Sequence, residues 1–358
     1  NSTCQMENVP WSPPGSLFGD GSAGWPPGRS GIVRIMVREN PFRTRIAEAE
    51  EQEVRQLEEA IAERRCREQT GFGTFAEAAS EFRPHPCCPS CGSARTKRDG
   101  LAPNGVQRWE CLACGRKYTS LAGTVFEHAR YGLPKWVSFI GLMRYNVPLD
   151  CIAETLQISH QTAWEWRHRV FATVDGYQDR TVLRKRVWID ETYIVDSDLA
   201  HGYGQARKRG LSSQQLCIAV GIDVFKNPYA VVCGHGKPST KRIREAFGGH
   251  IAEGATVVHD RERAHNGIIR DAGAVSESYK ADVNDPEYLE SMELVNNLCS
   301  WLKRYLWRFT GMSMSNMQSY LNWYVYLFRV NQAKDRWPET ARVVRHMMMS
   351  DASFRSST

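Results

Sequence analysis

The sequence predicts an α/β fold: a mixed sheet flanked by helices, preceded by two small modules. Three observations predict it. Lys185 to Val195 reads Lys-Arg-Val-Trp-Ile-Asp-Glu-Thr-Tyr-Ile-Val, a β-branched and aromatic run typical of a strand. After Arg180, further strand-like runs alternate with helical stretches, as in a sheet covered by helices. Before Arg180 stand two Cys-x-x-Cys pairs and then a helical hairpin, neither of which continues that pattern.

In the organising strand, period-two alternation puts Val187, Ile189, Tyr193 and Val195 on one face, with Trp188, Asp190, Thr192 and Ile194 on the other. Strands disfavour Asp, and a buried carboxylate needs a partner or a metal. Asp190 is therefore either an acid at a strand end or edge facing water, or a functional group. Glu191, on the opposite face, should point away from it.

Composition narrows the class. At 358 residues and 42% hydrophobic content the chain can bury a sizeable core and split into two or three domains. A net charge of +6 is compatible with a polyanionic partner. Eleven cysteines, an odd number with two close pairs, point to a reducing compartment and a metal site, against a disulfide framework. The N-terminus lacks a basic start followed by an apolar core, and the run from Trp136 to Met143 is far short of the roughly 20 residues a membrane span needs. The expectation is a soluble cytoplasmic protein.

In chain order, residues 1–43 are rich in Pro, Gly and Ser and are expected to be disordered. Residues 44–80 form a charged helical segment, with Ile46, Val54, Leu57 and Ile61 near helical spacing. Over 84–122, Cys88-Pro-Ser-Cys91 and Cys111-Leu-Ala-Cys114 stand nineteen residues apart. Four thiolates in two such knuckles, each followed by a glycine for the tight turn (Gly92, Gly115), are a zinc-ribbon pattern for tetrahedral Zn²⁺. Such a site is structural, because protein fills all four positions. Arg95, Lys97, Arg98, Arg108, Arg116 and Lys117 make a basic surface, either merely solvated or suited to phosphate contacts.

Over 130–176, Pro148-Leu149 opens a helix to Leu156, and Ser159 caps a second from His160 to about Val170. This is either a helix-turn-helix or an ordinary helical hairpin. As the former, it puts Gln161, Thr162, Glu165, Arg167 and Arg169 on or near the outward face, where a DNA groove is read. Residues 182–332 carry the sheet: strands at 185–195, 215–224, 229–233 and 255–260, a helix at 240–247, a long helix after Asp285-Pro286, and an aromatic helix at 315–330. Residues 333–358 read as a tail.

Asp190 and Asp260 can meet if their strands are adjacent, and Asn296 on the long helix can add a third oxygen. Hard divalent cations want such ligands, and Mg²⁺ takes one or two carboxylates with water and phosphate. Lys303, seven residues beyond Asn296, shares its helix face with Cys299 and Ser300 between them, and can hold a DNA phosphate. A solvated stripe on that helix is the plainer alternative.

The order ribbon, helix-turn-helix and Trp188-Ile189-Asp190-Glu191-Thr192-Tyr193 resembles insertion-sequence transposases of the DDE superfamily, whose catalytic domain is RNase H-like. More narrowly, it is similar to the ISXO-like group, some members of which carry Asp, Asp, Asn and Lys. Val295-Asn296-Asn297-Leu298-Cys299-Ser300-Trp301-Leu302-Lys303 is similar to that signature, and Gln318-Ser319-Tyr320-Leu321-Asn322-Trp323 to its C-terminal helix. The chain departs from the group at Val195-Asp196-Ser197-Asp198, where glycines are frequent, and at Ser276-Glu277-Ser278-Tyr279, where a His is frequent.

The resemblance implies that Asp190, Asp260 and Asn296 bind Mg²⁺ (or Mn²⁺) and that Lys303 contacts element-end DNA. It further implies 3′-end cleavage followed by strand transfer, and a homodimer or larger assembly on DNA near the nucleoid. The alternatives are a silent relic that only binds DNA, and a nuclease of the same fold without strand transfer.

Overall fold

The computed structural model describes residues 41–196, 213–309, 311–334 and 337–351. The expected disorder of residues 1–43 falls almost wholly outside these residues. The chain divides into two units, 1–54 and 55–358. The first carries helix α1 (Pro41–Glu48) and the start of α2 (Glu51–Thr70). All that follows belongs to the second.

After α3 (Phe75–Phe82), three short antiparallel strands follow, β1 (Thr96–Leu101), β2 (Gln107–Cys111) and β3 (Lys117–Thr119), in the order β1-β2-β3. Helices α4 (Leu133–Arg144), α5 (Leu149–Leu156) and α6 (His160–Ala172) come next. Gln157 takes a left-handed conformation to end α5, and the Ser159 hydroxyl accepts from Thr162 N at 3.1 Å to start α6. The hairpin is sealed by aromatic packing, with Trp136 of α4 stacked on Trp166 of α6 at 3.8 Å between ring centroids.

The main sheet comprises β4 (Arg186–Val195), β5 (Gln215–Asp223), β6 (Pro228–His235), β7 (Thr256–His259) and β8 (Val275–Ser278), in the order β6-β5-β4-β7-β8. The first three form an antiparallel meander, while β7 runs parallel to β4 and β8 parallel to β7. Asp223 closes the β5–β6 turn, its Oδ1 accepting from the backbone of Phe225 and Asn227 at 3.0 and 2.9 Å.

Helices cover both faces. Val187, Ile189 and Tyr193 join a core with Ile243 and Phe247 of α7 (Thr240–Phe247) and Ile268 and Ile269 of α8 (Asn266–Asp271). Trp188 and Ile194 join the larger core built by α9 (Pro286–Leu306) and α10 (Met317–Gln332). The alternation read from the sequence for β4 matches this division.

The elements that went unread include two in the second half of the chain. β8 is polar and partly exposed along its length, so it lacks the apolar alternation that marks a strand. The stretch read as a tail carries α11 (Glu339–Met349), which buries Ala341, Val343, Val344, Met347 and Met348. Those positions recur at helical spacing, and the methionines disguise an apolar face. Among the described residues, no helix is long and apolar enough to cross a membrane.

Gly221 sits opposite Ile189, and a Cβ there would lie 2.8 Å from Leu183 Cδ1 and 3.1 Å from Phe247 Cε1. Gly221→Val is expected to destabilise the fold by about 1–3 kcal/mol through overpacking. A urea titration followed by tryptophan fluorescence measures it; an unchanged midpoint would contradict this packing.

Candidate metal and nucleic-acid sites

The parallel pairing of β4 and β7 places the acids. Arg186, Val187 and Trp188 lie opposite Thr256, Val257 and Val258. Carried two residues further, this register sets Asp190 beside Asp260, directly after β7. Asp190 lies well inside β4, half-buried, its Oδ1 accepting from Glu191 N at 2.7 Å. It is neither at a strand end nor at a sheet edge. Asp260 Oδ1 accepts from Glu262 N at 3.0 Å.

Burial pushes the Asp190 carboxyl up to about 7, helped by the charges of Glu191 and Asp260 and opposed by the Glu191 N–H and by His265. Among the described residues, no Lys or Arg forms an ion pair with it. Two adjacent carboxylates, one desolvated and lacking a basic partner, suit a hard divalent cation.

Helix α9 lies across this face of the sheet. Its start is capped by the Asp285 side chain on Glu287 N at 3.0 Å, and the Trp188 indole pins it to β4 by donating to Ser291 O at 2.8 Å. The Tyr288 hydroxyl is pushed up by burial and by both Asp190 and Asp260. Burial and Asp190 likewise raise the Cys299 thiol, opposed by Lys303. The helix face carrying Cys299 therefore looks toward Asp190. Asn296 is half-buried one turn before Cys299, and Lys303 is exposed one turn after it.

On the opposite face of β4, sequence reasoning missed a buried polar chain. Glu191 Oε1 lies 2.8 Å from His265 Nε2, with side chains 6% and 0% exposed. His265 Nδ1 lies 3.3 Å from His259 Nδ1 and 3.7 Å from Asp260 Oδ1. Burial alone lowers the pKa of His265, yet the Glu191 carboxylate, with Asp260 and Asp190, leaves it raised. His259 is held down at about 4 by burial and by His265. The available signal was Glu191 itself, since the alternation that turned it away from Asp190 aimed it into the other core, where a carboxylate needs a partner.

The four cysteines also converge. Cys88 Sγ lies 3.6 Å from Cys114 Sγ, Cys91 Sγ lies 3.6 Å from Cys111 Sγ, and all four sulfurs are within 4.8 Å of one another. Each knuckle closes alike: Gly92 N donates to Cys88 O and Gly115 N to Cys111 O, both at 2.9 Å, with φ of 69° and 72°. Backbone N–H groups of Cys114 and Ala113 lower the Cys111 thiol pKa against the effect of burial. The surface around them is less basic than its composition suggests: Arg108 and Lys117 pair with Asp99 at 2.9 and 3.2 Å, and Lys97 with Glu110 at 3.4 Å.

In α6, Gln161 is exposed and Thr162, Glu165 and Arg169 are half-buried. Arg167 departs from expectation. It is 4% exposed, donates to Val147 O at 3.3 Å and lies 5.1 Å from the centre of the Phe309 ring. Helical spacing turned it inward with Ala163 and Trp166, so it is not on the outward face.

No family model matches the chain. Over 252 residues, 65% of this chain and 82% of the relative, it is 28% identical to an uncharacterised protein in the transposable element ISH50 of Halobacterium salinarum. The chain is similar to a mobile-element protein. Among solved structures it is similar to a Mos1 transposase paired-end complex with the left transposon end (TM-score 0.25, 14% identity, 56% of this chain and 70% of that one). It is also similar to a Mos1 mariner paired-end complex with Mn (TM-score 0.20, 15% identity, 54% and 73%).

An acid whose folded pKa lies above its unfolded value binds more protons when folded, so stability falls as pH rises between the two. For Asp190 that window runs from the ordinary Asp value to about 7. In metal-free protein, Asp190→Asn is therefore expected to raise Tm relative to wild type at pH 8 and to narrow the gap toward pH 4, on a scale of about 1.4 kcal/mol per pKa unit at most. Calorimetry at both pH values checks it; an equal gap would mean that Asp190 is not desolvated.

Proposed function

We propose that the chain is a DNA transposase that binds insertion-sequence ends and catalyses 3′-end cleavage and strand transfer. The observation that carries this reading is the parallel register of β4 and β7, which brings Asp190 within β4 next to Asp260, directly after β7. The antiparallel meander followed by two strands parallel to its first is the arrangement expected of an RNase H-like catalytic sheet. The ISH50 relative and the resemblance to the ISXO-like group point the same way.

In this reading Asp190 and Asp260 hold Mg²⁺ or Mn²⁺, with the Asn296 side-chain oxygen completing the set. The metal would supply Lewis-acid stabilisation of the phosphoryl-transfer transition state. Lys303, exposed on the same helix, holds a backbone phosphate of the element end at the mouth of the site. Gln161 and Thr162, at the start of α6, are the candidates for DNA contact in the hairpin. Arg167 supports that hairpin from within. Cys88, Cys91, Cys111 and Cys114 hold a structural Zn²⁺ that fixes the β1–β3 module. Two element ends must be held together for strand transfer, so the working form is a dimer or larger.

Asp190→Ala or Asp260→Ala is expected to abolish cleavage, a loss of at least about 10³-fold, while leaving end binding within a few-fold of wild type. The assay is a duplex carrying the element's terminal repeat, with joined product resolved on a gel. Binding without any cut, across several divalent metals, would instead make the protein a silent DNA-binding relic, and cuts without joined product a nuclease. Separately, elemental analysis is expected to find one Zn²⁺ per chain fewer in Cys111→Ser than in wild type; an equal zinc content would remove Cys111 from the ligand set.

A further inference from the structure

Behind the carboxylate pair, three donor atoms face one another. His259 ends β7 and Asp260 follows it. The Glu262 side chain then accepts from Ala264 N at 3.4 Å and starts a single 3₁₀ turn, Arg263–His265, which folds the chain back so that His265 returns beneath Asp260. The Nδ1 atoms of His259 and His265 stand 3.3 Å apart, and Asp260 Oδ1 lies 3.7 Å from the second. The three donors all fall within 4.8 Å of one another.

The outer nitrogens of both rings are engaged elsewhere. His265 Nε2 meets Glu191 Oε1 at 2.8 Å, and His259 Nε2 meets Ser276 Oγ at 3.0 Å. An ionised carboxylate only accepts, so His265 Nε2 carries the proton and donates to Glu191. Metal-ligating imidazoles are held in this way, with the outer N–H on a carboxylate or hydroxyl and the inner nitrogen aimed at the ion. With metal–nitrogen bonds of about 2.0–2.1 Å, two nitrogens at the tetrahedral angle lie roughly 3.3–3.4 Å apart. The observed spacing matches that edge.

We propose that His259, Asp260 and His265 form a second metal site, for a first-row transition dication such as Mn²⁺ or Zn²⁺. It shares Asp260 with the Asp190–Asp260 pair. Its donor set, two imidazoles and one carboxylate, selects against Mg²⁺, which keeps oxygen ligands and water. The rings are 2% and 0% exposed, whereas the Asp260 side chain is 27% exposed, so an ion enters past Asp260. The site stands on this cluster alone and does not require strand transfer. Without an ion, a proton on His265 bridges the two nitrogens and the cluster is only a strut beneath Asp260.

The test uses the full chain with the thiolate centre first filled by one equivalent of Zn²⁺, then Mn²⁺ with Mg²⁺ in large excess, read by pulsed electron paramagnetic resonance. The expected result is one Mn²⁺ per chain that Mg²⁺ does not displace, with nitrogen coupling from two imidazoles. Glu191→Gln keeps all three ligands and is expected to weaken this Mn²⁺ by about 10–100-fold. Complete displacement by Mg²⁺, or bound Mn²⁺ without nitrogen coupling, would overturn the proposal and leave the strut. The wild-type spectrum decides the matter even if a variant fails to fold, and neither outcome bears on whether the Mg²⁺-supported strand transfer occurs.

Discussion

The parallel register between β4 and β7 is the constraint on which the rest depends. Side chains alternate along a strand, so a slip of one residue would move Asp190 to the other face and leave Asp260 opposite Ile189 or Glu191 instead. That register is held on both sides: by nine consecutive pairs between β4 and β5, and by the apolar faces that β4 commits to two different cores. A single polar step, Asp190 then Glu191, is thereby split between two layers. One acid faces α9 and the other faces the turn that follows β7.

This division explains why buried charge is tolerated here. On the α9 face Asp190 has a backbone N–H for company, and burial drives its pKa upward, so the ionised form calls for a cation. On the other face Glu191 has a fully buried imidazole, whose proton affinity rises to match it. The two halves meet at Asp260, which sits beside Asp190 in the register and 3.7 Å from His265. The position of the second acid is therefore fixed from behind as well as from β7.

Much of this was legible in the sequence. The strand faces of β4, the N-cap at Ser159, the helix from Thr240 to Phe247 and the start at Asp285-Pro286 all follow from local chemistry: alternation, capping and apolar spacing. The carboxylate pair was legible as a possibility, because each acid terminates or interrupts a strand. What was not legible depends on long-range closure. His265 is ordinary in sequence and acquires its role only when the 3₁₀ turn brings it under β4. β8 is polar because it is an edge strand, and α11 hides its apolar face in methionines.

Arg167 shows how the parts are joined. An arginine on a candidate recognition helix reads as a DNA contact, but this one is turned inward, holding the loop before α5 through Val147 O and lying over Phe309, just beyond the end of α9. Arg308, its neighbour in sequence, donates to Tyr145 O at 3.3 Å from the other side of the same junction. Arg167, buried and engaged in this way, cannot also reach a phosphate, whereas Arg308 stays exposed. They tie the hairpin to the helix that carries Asn296 and Lys303, and α10 packs against α6 on the same side through Phe171 and Tyr320, 4.7 Å apart. The exposed start of α6 is thus held at a distance from the carboxylate pair that packing sets.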